Sequence, residues 1–137
     1  MPDTNVVART ALGDIENRMG IPPIEELLAE RDALVKEVAP LRARHGAWGT
    51  YNDLRKIELA QVGALIRAEA LKAGAKVTES FIEEQAHSSG RYADFVIQAT
   101  EEKARWAELE NKVESINDTI QRANAIARFL AAELHLA

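Results

Sequence analysis

The three histidines are the side chains of this chain best suited to acid–base or metal chemistry. They stand at His45, His87 and His135, and none has a second histidine four residues away on the same helical face. The HExxH type of zinc motif is therefore missing. The chain also lacks cysteine, so it has neither a thiolate metal ligand nor a cysteine nucleophile. The sequence predicts no metal site and no cofactor.

His87 belongs to a serine-containing turn, His87-Ser88-Ser89-Gly90, which a serine hydrolase would have to use as a nucleophile elbow. The elbow and the oxyanion donors are missing, so the turn interpretation is favoured. The glycines are scattered and form no phosphate-binding loop, and acidic pairs such as Glu83-Glu84 and Glu101-Glu102 are typical of helix surface. We therefore expect that the protein is not an enzyme.

Basic residues are concentrated in the middle of the chain. Residues 41–76 hold seven basic and three acidic residues, whereas residues 1–40 hold four and eight, and residues 77–137 hold six and eleven. A basic segment between acidic ends favours contact with a polyanion, and a solvated helix surface with chance clustering is the alternative. Arg42, Lys56 and Arg67 fall within about 40° of one another on a helical wheel. The predicted phosphate contacts are Arg42, Lys56, Arg67, Lys72 and Lys76.

The elements that position these side chains are predicted to be helices. Aromatic residues make up only 5% of the chain, and three of the four prolines lie in the first 23 residues. This composition, rich in Ala, Leu, Glu and Arg, predicts an all-α fold of long helices. We expect helices over about 22–39, 41–73, 80–87 and 91–135, in one domain that spans residues 21–137. Residues 1–20 are predicted to form a flexible or loosely docked arm.

Local signals set several of the predicted helix ends. Pro40 is expected either to kink a helix or to mark a new start. Gly74 suits the position just after a helix C-cap. Ser80 with Glu83 fits a capping box, and Thr78 is a second N-cap candidate.

Apolar periodicity predicts which side chains form the core. Trp48 falls on a broad apolar face of the predicted 41–73 helix, together with Tyr51, Leu54, Val62, Leu65 and Ile66. Trp48 and Trp106 both occupy seam positions and are predicted to be core side chains, with base stacking as the less favoured alternative.

The last predicted helix carries the strongest pattern. Two heptad positions stay apolar from Tyr92 to Ala137, with Glu102 as the exception. A helix of this length, roughly 65–70 Å at about 1.5 Å per residue, is not stable alone in water. It must form a long hairpin with the preceding helices, join other subunits in a homo-oligomeric ring or bundle, or both. The packing or oligomerisation seam is assigned to Trp106, Leu109, Val113, Ile116, Ile120, Leu130 and Leu134.

Three segments bear on family membership: Arg55-Lys56-Ile57-Glu58-Leu59-Ala60, the loop Ala75-Lys76-Val77-Thr78-Glu79-Ser80-Phe81-Ile82-Glu83, and a long helix from Arg91-Tyr92 to Ala125-Ile126-Ala127-Arg128-Phe129-Leu130. In order and content they resemble the UvsY-type phage recombination mediators over about residues 41–134. The resemblance implies a ring-shaped helical oligomer that binds single-stranded DNA and its single-strand-binding protein. It also implies that the protein helps to load a RecA-like recombinase without hydrolysis. The family's Lys-x-Arg motif falls near Leu65-Ile66-Arg67-Ala68, where only Arg67 is basic.

Two other functions stay open at this point. One is a structural or adaptor protein, in which the heptads serve assembly or partner capture without DNA binding. The other is a small-ligand (nucleotide) sponge with pockets between subunits near Arg122, Asn124 and Arg128. The sequence has no apolar run long enough to span a membrane and no signal-peptide region at its start. A cytoplasmic location is therefore expected, in the bacterial host if the protein is phage-encoded.

Overall fold

The computed structural model describes residues 4–136, and it describes side chains from residue 12 to residue 133. Over residues 4–136 the chain forms α-helices and no strand, which confirms the predicted all-α class. The helices are α1 (Thr4–Met19), α2 (Ile24–His45), α3 (Tyr51–Lys72), α4 (Glu79–His87) and α5 (Gly90–Leu136). None of these five helices combines the length and the apolar character that crossing a membrane requires.

The chain divides into two compact units. Unit 1 joins the residues up to Val38 with the residues from Glu108 onwards, so it contains α1, most of α2 and the last part of α5. Unit 2 is one continuous segment from Ala39 to Ala107, and it contains α3 and α4. The sequence predicts one domain from residue 21 with an arm before it, whereas the structure groups the N-terminal segment with the C-terminal one.

α1 is a helix that packs into the core of unit 1. Ile15 of α1, Ile24 of α2 and Ala123 of α5 form one buried cluster, in which Ile15 is 3% exposed and Ala123 is 0% exposed. The backbone N–H of Ile24 donates to Oε1 of Glu16 at 2.9 Å, so α1 also satisfies a donor in the first turn of α2. Within the predicted arm, α1 therefore contributes to the core through side chains from residue 12 onwards.

Part of the heptad seam of α5 is buried within the single chain. Leu27 of α2 packs against Ile116 and Ile120 of α5. Trp106, Val113 and Leu130 are half-buried, and the side chain of Leu134 lies outside the described residues. All buried side chains of α5 between residues 90 and 133 occupy predicted seam positions, namely Ala99, Leu109, Ile116, Ile120 and Ala123.

α2 runs through Pro40 and ends at His45, so the break comes later than residue 40. Pro40 removes one helical hydrogen bond because it lacks an N–H, but it does not end the helix. The chain turns over residues 46–50 instead. A Cβ atom on Gly46 would lie 2.5 Å from the carbonyl oxygen of Arg42, and one on Gly49 would lie 2.4 Å from that of Arg44. Only glycine fits there, and the predicted 41–73 helix is split by this turn.

The ends of α3 and α4 follow local chemistry. Gly74 has a φ of +68°, which confirms its predicted position after the C-cap of α3. The hydroxyl of Thr78 accepts a hydrogen bond from the backbone N–H of Phe81 at 3.2 Å and caps α4. The cap is thus the second predicted candidate. Ser80, the first candidate, lies inside the helix.

Candidate nucleic-acid interface

α3 and α4 pack against each other in unit 2. Ile82 and Ala86 of α4 are buried, and so are Val62 and Gly63 of α3. A Cβ atom on Gly63 would lie 3.5 Å from Ile82, an ordinary van der Waals contact, so α3 and α4 pack side by side at this position. The two helices leave a cleft of about 470 Å³ between them, and Gly63, Ile82 and Ala86 are among the residues that line it.

Two of the predicted phosphate contacts, Lys56 and Arg67, line this cleft. A second cleft of about 450 Å³ adjoins it, shares Arg67 and adds Lys76. We call the two clefts together the α3/α4 groove. Three cations that the sequence selected by charge alone are therefore brought to one groove by the packing of a single pair of helices.

The α3/α4 groove also carries carboxylates, which the sequence analysis did not place there. Arg67 forms an ion pair with Glu79 through Nη2 and Oε2, and Glu83 lines the larger cleft. The side chains of Arg67 and Glu79 are 53% and 71% exposed, and such exposed pairs stabilise a protein by only about 0–1 kcal/mol. The ion pair with Glu79 therefore contributes little to stability.

The other predicted contacts lie elsewhere. Arg42 and Lys72 line neither cleft of the α3/α4 groove. The wheel that grouped Arg42 with Lys56 assumed one helix from residue 41 to residue 73, but the turn at 46–50 places Arg42 on α2 and Lys56 on α3. Lys72 is exposed in the last turn of α3. Of the five predicted phosphate contacts, Lys56, Arg67 and Lys76 therefore line the α3/α4 groove, and Arg42 and Lys72 do not.

His87 lines the α3/α4 groove and was not predicted as a site residue. Its Nδ1 lies 2.8 Å from the carbonyl oxygen of Glu83. Because a carbonyl only accepts, Nδ1 carries the proton, and Nε2 is left for an outside partner. The ring also packs edge-on against Tyr92, with 5.5 Å between the centroids. The turn-forming residues at 87–90 were the only sequence feature near His87, and they predict a turn but not a position in the groove.

No family model, curated protein or solved structure matches this chain. Its possible chemistry therefore has to be argued from its own side chains. Among the residues whose side chains are described, no group of three or more histidine and acidic side chains is placed to hold a metal ion. Arg122, Asn124 and Arg128, the residues of the predicted nucleotide pocket, are exposed on α5 and line neither cleft of the groove.

Glu102, the exception in the heptad pattern, forms a second polar cluster in unit 2. Its Oε2 lies 2.6 Å from Nε2 of His45, and its Oε1 accepts from Nη1 of Arg44 at 2.5 Å. Burial acts to raise the pKa of Glu102, but the hydrogen bonds from His45 and Arg44 outweigh it and hold the pKa below the ordinary 4.5. The side chain of His45 is 0% exposed and that of Glu102 is 19% exposed, so a largely buried cluster joins the end of α2 to α5.

A run of five aromatic rings starts at this cluster. The ring of His45 lies 5.4 Å from that of Tyr51, and Tyr51 stacks on Phe95 at 5.8 Å. Phe95 lies 6.3 Å from Tyr92, which in turn meets His87. The five rings lie within unit 2, and through Tyr92 and Phe95 of α5 they connect the end of α2 with the end of α4. It fixes the position of His87 at the groove.

Trp48 is the clearest departure from the predicted core. It is 99% exposed, in the turn between α2 and α3. The turn at 46–50 takes it off any helix face, so the heptad count that placed it in the seam does not apply. Leu65, predicted on the same apolar face, is 54% exposed, whereas Val62 is buried and Ile66 is half-buried.

Proposed function

We propose that this protein is a non-catalytic recombination mediator that binds and organises single-stranded DNA. The observation that carries the proposal is the α3/α4 groove, which gathers Lys56, Arg67 and Lys76 along one pair of helices. A single strand presents a flexible row of phosphates, and lysine and arginine bind such a row without reading its sequence. The resemblance of residues 41–134 to UvsY-type mediators supports the same function. It adds single-strand-binding protein and a RecA-like recombinase as partners, in a bacterial cytoplasm.

Three cations in one chain make few phosphate contacts, so the proposal includes assembly of several copies. In a homo-oligomer the same groove is repeated in every subunit. Once one groove binds a strand, the neighbouring grooves meet that strand at a high effective concentration, so the contacts add. The net charge of −5 repels DNA on average, so binding has to depend on the local cluster of cations in the groove. Affinity is then expected to rise steeply as the salt concentration falls.

We place the contact between copies on the outer face of α3. The exposed side chains of Ile57, Leu65 and Leu71 lie within about 120° of one another on the helix, in an arc that also contains Ala64, Ala68, Gln61 and Lys72. Another face of α3 packs against α4. The outer face therefore carries apolar side chains that the packing against α4 does not cover. Several large exposed apolar side chains close together, with polar residues among them, are typical of a contact surface. The α5 seam, in contrast, already buries Leu109, Ile116 and Ile120 within the chain.

Reversing the charges in the groove tests the DNA-binding part of the proposal. We expect Lys56→Glu combined with Arg67→Glu to lower the affinity for a labelled dT oligonucleotide about tenfold or more at low salt. We also expect the slope of log affinity against log salt to fall by about 1.4, since each lost single-strand phosphate contact contributes about 0.7. Fluorescence anisotropy at several salt concentrations measures both quantities.

The matched control for this experiment is Lys36→Glu combined with Arg122→Glu. Both residues are exposed and belong to unit 1, and the pair changes the net charge by the same amount. We expect the control to retain most of the affinity and the full salt slope. An equal loss in the two variants would mean that net charge alone drives binding, and the groove would then be excluded as the site.

Assembly through α3 has its own test. We expect the parent protein to be a homo-oligomer in light scattering, and Leu65→Glu to reduce its mass, because a charge at the contact opposes association. Ile97→Glu is the control, since Ile97 on α5 is 56% exposed and Leu65 is 54% exposed. A monomeric parent, or an equal effect of the two variants, argues against this contact.

The outer face of α3 also favours a second candidate function, a helical adaptor that assembles or captures a partner without binding DNA. This candidate predicts an oligomer whose affinity for single-stranded DNA is undetectable even at low salt. The anisotropy and light-scattering experiments together separate it from the mediator.

A further inference from the structure

Trp48 is the most exposed of the large hydrophobic side chains that the structure describes, at 99%. Tryptophan is highly buried on average, because leaving its large apolar surface in water costs free energy. The rings of Tyr51, Tyr92 and Phe95 are each paired with another ring in unit 2. Both faces of the Trp48 indole, in contrast, are open to a ligand.

The turn that carries Trp48 is held in one conformation by hydrogen bonds and close packing. The N–H of Gly46 donates to Arg42 O at 2.8 Å, that of Gly49 donates to Gly46 O at 2.9 Å, and that of Thr50 donates to Ala43 O at 3.2 Å. The close carbonyl oxygens at both glycines leave no room for a Cβ atom. Trp48 is therefore presented on a preorganised turn, which lowers the entropy cost of binding through it.

The surroundings of Trp48 favour an anionic ligand with a flat apolar part. Residues 41–56 hold four basic residues and one acidic residue, and of these cations Arg44 is already paired with Glu102. Lys56 follows on α3, about 7.5 Å along the axis from the first residue of the helix, and it lines the α3/α4 groove. Within the turn, the neighbours of Trp48 are glycine, alanine and threonine, which supply none of the apolar rim that surrounds an anchor side chain in a protein interface.

We propose that Trp48 is a stacking platform for an unpaired base of single-stranded nucleic acid, with Lys56 at a neighbouring phosphate. This inference rests on the proposed function and deepens it, because it adds base contact to a site otherwise built from cations. Stacking on an aromatic ring accepts any base, since every base has a π-face. Binding of the single strand is then still independent of its sequence, but a strand without bases binds more weakly.

The experiment compares two single-stranded ligands of equal length, a dT oligonucleotide and an oligomer of abasic deoxyribose phosphate. We expect Trp48→Ala to weaken dT binding roughly 5- to 150-fold, the range for losing one stacked base, with little change in salt slope. Abasic binding should be nearly unchanged by Trp48→Ala. Trp48→Tyr, which keeps an aromatic face, should restore part of the dT affinity.

A second measurement observes the indole directly. In a Trp106→Phe background Trp48 is the single tryptophan of the chain, and its fluorescence should be quenched by dT but not by the abasic oligomer. The Trp48→Ala titrations are carried out with Trp106 intact, so they do not depend on how well that background folds.

The outcomes separate this inference from the proposed function. If the parent binds dT through Lys56 and Arg67 but Trp48→Ala changes nothing, the stacking platform is overturned and the function stands. An equal loss of dT and abasic binding would show that Trp48 acts on the fold, which also overturns it. If Trp48→Ala changes only the oligomer mass, Trp48 belongs to a protein contact. If the parent binds no single strand at low salt, both proposals fail.

Discussion

Ala123→Asp is expected to destabilise unit 1 by about 3–5 kcal/mol and to lower the melting temperature by roughly 10–20 °C. Ala123 is 0% exposed and lies between Ile15 of α1 and Ile24 of α2. A carboxylate at this position has to lose its hydration or take up a proton, and the described neighbours in this cluster are apolar. Circular dichroism during heating measures the loss.

Ala125→Asp is the matched control. Ala125 lies two residues further along α5 and is exposed, so the change adds the same charge and the same helix-propensity cost of about 0.7 kcal/mol. The difference between the two variants isolates the cost of burial. Equal melting temperatures would show that α1 does not cover Ala123 in solution, in line with the loosely docked arm that the sequence predicts.

Glu102→Gln is expected to cost about 2 kcal/mol of unfolding free energy at neutral pH. The carboxylate of Glu102 binds Arg44 and the fully buried His45, and hydrogen bonds to a charged group contribute about 1.5–3 kcal/mol. The amide of glutamine fits the same space but lacks the charge. Urea denaturation of the parent and the variant measures the difference.

The pH dependence of this difference follows from the lowered pKa of Glu102. Because the folded state holds the pKa below its ordinary 4.5, the unfolded chain takes up a proton first as the pH falls. The stabilisation is complete above the unfolded pKa and is lost as the pH falls through the folded pKa. The gap between parent and Glu102→Gln should therefore be widest above pH 4.5 and should shrink below it.

Glu101→Gln serves as the control for the charge itself. Glu101 is the exposed neighbour of Glu102 on α5, and its neutralisation removes the same charge. We expect it to change stability by less than about 0.5 kcal/mol. A gap between the parent and Glu102→Gln that stays constant from neutral to acidic pH would contradict a role for the carboxylate charge.

Periodicity in the sequence was sufficient to predict α5 and its inward side. Leu109, Ile116 and Ala123 recur every seven residues, and a helix places such residues on one face whatever its surroundings. Glycine just after a helix is equally local, which is why Gly74 was predicted correctly. For the groove, charge clustering selected Lys56, Arg67 and Lys76, but it could not show that they line one groove.

The features that were missed depend on contacts between distant residues. The exception at Glu102 is explained by His45, which is 57 residues away in the sequence. The pairing of Arg67 with Glu79 arises because the acidic α4 folds back on the basic α3. The exposure of Trp48 depends on the carbonyl oxygens of Arg42 and Arg44, which exclude a side chain at Gly46 and Gly49. No local pattern contains this information.

Unit 1 is made from both ends of the chain, whereas unit 2 is one continuous segment. During synthesis, unit 2 can close its core as soon as residue 107 has left the ribosome, while α1 has to wait for the segment of α5 that begins at Glu108. The amides of α1 and of the end of α5 should then open together in native-state hydrogen exchange, although they are far apart in sequence. Separate opening energies for the two segments would show that they do not form one cooperative unit.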